Sequence, residues 1–213
     1  FFNIISIPEI IPDLTVNLYN PNRYMEGLTL LNIHTPQTQG QSIAVDKEGT
    51  IVWILSVPNP IISGNYNRFE VLNILPNGNF FVLHSSDDKI YEITLDNQIV
   101  WETPDEIKAH HDFLLMPNGN YLGLAKTYEF GNIPNGPWSN DFEGFDSFLW
   151  RSDEIIEWDR DGNEIWKWKA SDYFNMVDYD SGRFSYDIYT QYYFDWTHSN
   201  AIYYNPLDQS IYL

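Results

Sequence analysis

The sequence predicts an all-β protein, and three observations support that prediction. Aromatic residues are abundant, with 8 Trp, 15 Tyr and 13 Phe among 213 residues, and such side chains favour pleated strands. Glycine and proline, 12 of each, recur in short turn sequences between apolar runs. The chain also repeats itself, and a repeat narrows the class of all-β fold that is expected.

The first repeated element is a hairpin. The sequence Pro-Asn-Gly-Asn occurs at residues 76–79 and again, 41 positions later, at 117–120. Each copy lies between two apolar runs. Asn-Gly in that setting is a strong signal for two antiparallel strands joined by a tight turn.

The second repeated element is a strand ending in Asp, a turn, and a strand ending in Trp. It occupies residues 45–53, 95–101 and 158–166, and its Trp residues are spaced by 48 and 65 positions. A turn-rich insertion near residues 129–147 is expected to account for the longer spacing.

Together the two elements give four strands in each of two successive units. The strands are predicted at 71–75, 79–84, 88–94 and 97–102 in one unit, and at 111–116, 120–126, 153–158 and 163–168 in the next. Four antiparallel strands per repeat describe the blade of a β-propeller. A β-sandwich is the competing architecture, but it does not predict a repeated pair of hairpins.

The predicted propeller is partial. Residues 28–54 hold about three strands of an earlier unit, and residues 198–213 open a new one, so we expect three to four blades within residues 26–213. Residues 1–25 are predicted to be an N-terminal strap or the end of a preceding β-domain. Because the sequence stops within a strand, we expect the remaining blades to come from a longer chain or another subunit.

Charge and composition exclude several classes of function. Thirty acidic against eleven basic side chains give a net charge of −19, which excludes binding to nucleic acid or to anionic membranes because both need a cationic face. The chain has no cysteine, so thiolate metal sites and cysteine nucleophiles are excluded. No apolar run is long enough to span a membrane.

Three of the five histidines occupy matching places in the repeat. His110 and His111 begin the first strand of one blade, and His198 begins the first strand of the next. Because the first strands of a propeller line its central channel, we expect these histidines to converge there, and strand parity favours His111 over His110 as the inward one. The first alternative is that these histidines only cap or pack the strands. The second is metal binding, because the His-His-Asp sequence at 110–112 resembles half of a metal site.

An aromatic-rich connection at residues 172–196 precedes His198. It includes Tyr193 and Trp196, and it is expected to overhang the same channel mouth. Such a cluster would stack an aromatic substrate, or it would pack as a long loop against the propeller rim. Both alternatives stay open at the level of sequence.

These residues resemble the arylsulfate sulfotransferase family, whose catalytic domain is a six-bladed β-propeller. The resemblance covers about residues 26–213. The matching motifs lie at 26–32, 45–53, 90–101, 110–120 and 195–200. His-His-Asp at 110–112 and Asp-Trp-Thr-His-Ser-Asn at 195–200 are together specific for the family, whereas the Pro-Asn-Gly-Asn and Asp-Gly turns are shared by many propellers.

The resemblance implies transfer of a sulfuryl group from a small phenolic sulfate ester to another phenol, without a nucleotide donor or other cofactor. In the family one channel histidine takes the group covalently, while further histidines and an arginine hold the sulfate oxygens and shuttle the proton. By motif position, His198 and one of His110 or His111 are the sulfate-binding and acid–base histidines. Asp112 and Asn200 are the orienting groups.

The same resemblance places the family's nucleophilic histidine and arginine beyond residue 213, so this chain alone is expected to be inactive. Enzymes of this type are expected outside the cytoplasm, either extracellular or periplasmic. Two alternatives remain: a non-catalytic propeller that acts as an extracellular binding or structural module, and a metal-dependent hydrolase that uses the same histidines.

Overall fold

A computed structural model gives the structure of the protein. It describes residues 14–17, 20, 22–23, 25–35, 38–55, 69–85, 87–132, 147–175 and 193–213. The chain divides into two compact units, Phe1–Glu102 and Thr103–Leu213. Apart from one short 3₁₀ turn at Ala170–Asp172, the regular elements of the described residues are β-strands, which confirms the predicted fold class.

The first unit contains two antiparallel sheets. The strands are β1 (Thr29–Thr35), β2 (Thr38–Val45), β3 (Ile51–Ile54), β4 (Phe69–Ile74), β5 (Phe80–His84), β6 (Lys89–Ile93) and β7 (Ile99–Glu102). Strands β1–β3 form one sheet and β4–β7 form another, each in chain order. A shared apolar core joins them, with Leu30 and Trp53 of the first sheet packed against buried side chains that include Phe69 and Val82 of the second.

The second unit is built around another four-stranded antiparallel sheet in chain order. Its strands are β8 (Lys108–Leu115), β9 (Tyr121–Asn132), β10 (Ser147–Trp158) and β11 (Glu164–Lys169). A two-residue strand β12 (Phe194–Asp195) pairs parallel with β10, and a separate hairpin follows as β13 (Tyr203–Asn205) and β14 (Ser210–Tyr212). Ile202 and Tyr204 contribute to the core of this unit beside Leu122 and Leu124.

Both four-stranded meanders have the blade topology that the repeat predicts, and their strand positions agree to within a few residues except where β8, β9 and β10 are longer. The predicted insertion near 129–147 was wrong at both ends. Strands β9 and β10 stay paired from Trp158↔Tyr121 to Ser147↔Asn132, because alternating aromatic and polar residues continue the strand pattern there. Residues 133–146, most of residues 1–25 and most of the aromatic connection at 172–196 lie outside the described residues.

A strand was also predicted from residue 198 onwards, and this was wrong because β13 begins only at Tyr203. The backbone N–H groups of Ser199 and Ile202 donate to the carboxylates of Asp153 and Asp112, at 2.7 Å and 2.9 Å. Side chains therefore satisfy the hydrogen-bonding groups that a strand would offer to a neighbouring strand.

The repeated Pro-Asn-Gly-Asn turns have a shared structural role. The amide groups of Asn118 and Asn120 donate to one oxygen of Glu157 on β10, at 3.1 Å and 2.6 Å. In the first unit Asn77 and Asn79 make the same pair of contacts to Glu92 on β6. Each turn thus fixes the first hairpin of its blade to the third strand.

We expect Asn120→Ala to lower the free energy of unfolding by about 2 kcal/mol, because a hydrogen bond to a charged group contributes roughly that much. Urea denaturation measures the change. Asn163→Ala is the matched control, since the Asn163 amide donates to the exposed Asp159 carboxylate and should cost well under half as much. Equal losses in the two variants would contradict the role assigned to the turn.

Candidate functional site

The backbone of β8 is displaced from its ladder at His110 and His111. Pairing with β9 stops at Ala109↔Ala125 and resumes at Phe113↔Gly123, so three residues of β8 face a single residue of β9. His111 has φ +55°, a left-handed conformation that is uncommon for a non-glycine residue and occurs often at functional sites. The bulge turns the two adjacent rings in different directions, leaving His110 buried and His111 exposed.

His198 lies in the irregular segment between β12 and β13, and it too is left-handed, with φ +48°. The segment is held from two sides. Asp153 on β10 accepts hydrogen bonds from the Thr197 hydroxyl and from the Ser199 N–H, both at 2.7 Å. Asp112 on β8 accepts the Ile202 N–H. Strands β8 and β10 therefore position His198 by holding the residues that flank it in the sequence.

The structure brings the three histidine rings together. The ring centroids of His110 and His111 are 5.0 Å apart, and those of His111 and His198 are 6.3 Å apart. The His198 side chain is about one-third exposed, so His111 and His198 form the accessible part of the cluster. Residues almost 90 positions apart in the sequence thus meet within the second unit.

A carboxylate orients His198. Its Nδ1 lies 2.6 Å from Oδ2 of the buried Asp195. An ionised carboxylate only accepts hydrogen bonds, so Nδ1 carries a hydrogen and the lone pair of the neutral ring is on Nε2. That arrangement is the one required of a histidine that accepts and returns a proton.

His110 lies between two charged residues of β10. Its Nε2 is 3.0 Å from Asp153 Oδ1, although the direction falls short of a well-aligned hydrogen bond, and its Nδ1 is 3.5 Å from Nη2 of Arg151. Burial lowers the pKa of His110 and outweighs the opposing effect of Asp153. Burial alone would raise the pKa of Asp153, but the close contact with His110 and the hydrogen bonds from Ser199 and Thr197 hold that pKa well below its usual range.

His111 is also held in its neutral form. Partial desolvation of the ring lowers the pKa of His111 first, and electrostatic interactions with His110, Arg151 and His198 lower it further. At pH 7 the accessible rings therefore include a neutral imidazole, which can donate one hydrogen bond and accept another.

The remaining predicted residues surround the histidines. Asp112 fixes the backbone at two places, since its two carboxylate oxygens accept hydrogen bonds from the N–H groups of Phe113 and Ile202. Asn200 is exposed and its amide donates to the His198 carbonyl. Trp196 is buried with its ring edge-on to Trp150, an arrangement that favours packing over stacking with a ligand.

Tyr193 packs edge-on against the ring of Tyr128, at a centroid distance of 5.3 Å, and it is hydrogen-bonded to Arg151. It therefore joins β9 and β10 at the edge of the histidine cluster. Most of the aromatic connection that precedes it lies outside the described residues.

Sequence reasoning missed Arg151, Asp153 and Asp195. Arg151 and Asp153 are two positions apart on β10, so they lie on one face of the strand, and all three side chains are buried. One feature of the sequence could have identified Arg151 and Asp153. Opposite charges two positions apart, next to the aromatic Trp150, are unusual in a strand that the repeat predicts to belong to a blade.

Two further structural features bear on the site. Among the residues that the structure describes, no three His, Asp or Glu side chains are grouped as metal ligands. Within the same ranges, no helix has the length and apolar character needed to cross a bilayer.

Acidification should lower the free energy of unfolding of the second unit, because of His110. Its pKa lies below that of the unfolded state, so the unfolded chain binds protons first as the pH falls through about 6.5. We expect the stability advantage of the wild type over His110→Gln to shrink by about 1 kcal/mol between pH 7.5 and 5.5. Urea unfolding at both pH values measures this difference, and an advantage that grows on acidification would contradict it.

Comparison with known proteins gives one family match. The family model described as arylsulfotransferase (ASST) matches residues 15–213. No curated protein matches the chain. A crystal structure of a protein of unknown function from Bacteroides caccae is similar over 64% of this chain and 62% of its own length, with 12% identity and a TM-score of 0.31. The chain thus spans less than two thirds of that protein, and so low a score does not define a shared fold.

Proposed function

Because the chain belongs to the arylsulfotransferase (ASST) family, we propose that it contributes part of the active site of an enzyme that transfers a sulfuryl group from a phenolic sulfate ester to a phenol. The observation that supports this most directly is the approach of His111 to His198, with their ring centroids 6.3 Å apart. No nucleotide or other cofactor enters the proposed reaction.

His198 is the proposed acid–base group. In the first half-reaction the S–O bond to the donor phenol breaks, and an S–N bond forms to a nucleophilic imidazole. The departing phenolate takes a proton from Nε2 of His198, which enters this step in its protonated form while Asp195 holds Nδ1 at 2.6 Å. In the second half-reaction the oxygen of the acceptor phenol attacks sulfur and the S–N bond breaks, which frees the nucleophilic imidazole. The neutral His198 ring takes the proton of the phenol at Nε2 and so returns to its protonated form.

His111 is the proposed sulfate-binding group. Its neutral imidazole can donate a hydrogen bond to a sulfuryl oxygen, whose charge grows and spreads as the group is transferred. The left-handed backbone and the bulge of β8 hold this ring in place before substrate arrives, so little reorganisation is needed in the transition state.

The nucleophilic histidine and the sulfate-binding arginine of the family are proposed to come from blades outside this chain, supplied by a longer polypeptide or by another subunit. The chain by itself is then inactive. An extracellular or periplasmic location is proposed as well, and the absence of cysteine and the net charge of −19 are compatible with export.

The test is a transfer assay with p-nitrophenyl sulfate as donor and a second phenol as acceptor, using the full-length protein. We expect release of p-nitrophenol that depends on the acceptor and yields the sulfated acceptor in equal amount. Activity that disappears with a chelator would support the metal-dependent hydrolase instead. A folded protein that binds the donor without turning it over would support the non-catalytic binding module.

A further inference from the structure

Arg151 has an environment unlike that of an anion-binding arginine. Its side chain is about 10% exposed, and Nη1 lies 3.0 Å from Oδ2 of Asp195. The strand pairing of β10 with β12 places residues 151 and 195 directly opposite each other. A buried guanidinium is costly unless it is paired, and here protein groups provide the pairing.

One oxygen of Asp195 serves two partners. Oδ2 forms an ion pair with Nη1 of Arg151 at 3.0 Å and a hydrogen bond with Nδ1 of His198 at 2.6 Å. Arg151 thus holds the carboxylate of Asp195 beside the His198 ring. The carboxylate therefore orients the His198 ring without competing for the proton that His198 must transfer.

The other end of the guanidinium faces His110. Nη2 of Arg151 is 3.5 Å from Nδ1 of His110, and a guanidinium can only donate. This contact favours the tautomer in which Nδ1 carries no hydrogen and the hydrogen lies on Nε2, which faces Asp153. Arg151 and Asp153 together select one tautomer of His110.

We propose that Arg151 is a positioning residue that joins the His198–Asp195 pair to the His110–Asp153 pair and sets the orientation and proton arrangement of both. Asp153 closes the connection, because its second oxygen holds Thr197 and Ser199 on either side of His198. The inference rests on the proposed function for its kinetic consequence, whereas its electrostatic consequence is independent of turnover.

The titratable and charged groups around His110 and His111 are known from each neighbouring element. Asp112 lies on β8, Lys126 on β9, Arg151 and Asp153 on β10, and Asp195 and His198 on β12 and the segment after it. Arg151 and Lys126 both lower the pKa of His110 and His111. Removing the charge at position 151 should therefore raise the pKa of both rings.

The experiment compares Arg151→Gln with Arg151→Lys, with Arg160→Gln as the control. Arg160 belongs to the same unit, and its side chain contacts the turn at Gly119 and the hydroxyl of Tyr121 instead of the histidines. Two measurements are made: NMR titration of the imidazole signals, which needs no activity, and kcat and KM of the full-length enzyme.

For Arg151→Gln we expect His110 and His111 to titrate at higher pH, with kcat lowered about 10- to 100-fold and KM within about threefold of the wild type. Arg151→Lys should keep the wild-type titrations, because the charge remains, yet it should not restore kcat, because one ammonium cannot reach both pairs. Arg160→Gln should resemble the wild type in both measurements.

Unchanged imidazole titrations in Arg151→Gln would overturn the proposal, and so would a raised KM with an unchanged kcat, which is the result expected if Arg151 bound the sulfate directly. If Arg151→Gln fails to fold, the kcat and KM of Arg151→Lys decide in the same way. If the wild type proves inactive, the proposed function fails while the titrations still test the role of Arg151.

Discussion

Replacing His198 by glycine is expected to lower kcat for sulfuryl transfer about 100- to 10,000-fold, the range typical for loss of a general acid–base group. Glycine is the informative substitution because His198 has φ +48°, a conformation that glycine adopts without strain. The change removes the ring and its contact with Asp195 while keeping the path of the backbone. We therefore expect the free energy of unfolding to fall by no more than about 2 kcal/mol.

Gln209→Gly is the matched control for His198→Gly. Gln209 is also left-handed, with φ +60°, but it lies exposed in the turn between β13 and β14. Its replacement should leave kcat unchanged. Added imidazole should restore part of the activity of His198→Gly by occupying the vacated space. A fully active His198→Gly enzyme would contradict the acid–base role.

The second large effect is expected from Gly123→Ala, which should lower the free energy of unfolding by about 3 kcal/mol. A Cβ atom at this position would lie 2.3 Å from Cδ2 and 2.6 Å from Cε2 of Phe113. Phe113 is fully buried and stacks with Trp158, at a ring-centroid distance of 5.8 Å. The ring therefore has little room to move away.

The double variant Gly123→Ala with Phe113→Leu tests this explanation. The smaller side chain makes room for the new methyl group, so the double variant should be more stable than the sum of the two single losses predicts. Because the Phe113 N–H donates to Asp112, which in turn holds Ile202, Gly123→Ala should also disturb the segment that carries His198. Additive losses in urea denaturation would show that the contact with Phe113 is not the cause.

The repeat predicted the blades because their turns carry strong local signals. Asn-Gly at the tips of the first hairpins fixes the strands on either side, and the observed strands begin and end close to the predicted positions. The extension of β9 and β10 has no counterpart in the preceding blade, so the repeat placed an insertion where the ladder continues to Ser147↔Asn132.

Only those residues of the candidate site that belong to the repeat or to the family motifs could be predicted from the sequence. Comparison of successive blades predicted that His198 would approach the pair formed by His110 and His111. Arg151 lies on the extended part of β10, and Asp153 is the first residue of the strand predicted there. The comparison of blades gave neither residue a role, because only their opposite charges distinguish them. The left-handed backbone at His111 and His198 was equally unpredictable, because it depends on side-chain hydrogen bonds from distant residues.

The most direct test of the account is whether an aryl sulfate contacts the accessible histidines. The protein is labelled with ¹³C in histidine, and its imidazole signals, assigned with His111→Gly and His198→Gly, are followed during titration with p-nitrophenyl sulfate. We expect the His111 and His198 signals to shift together along one saturable curve, and p-nitrophenol, which lacks the sulfate, to shift them far less. Signals that stay fixed at saturating donor concentration would contradict the proposal that these histidines bind the sulfuryl group.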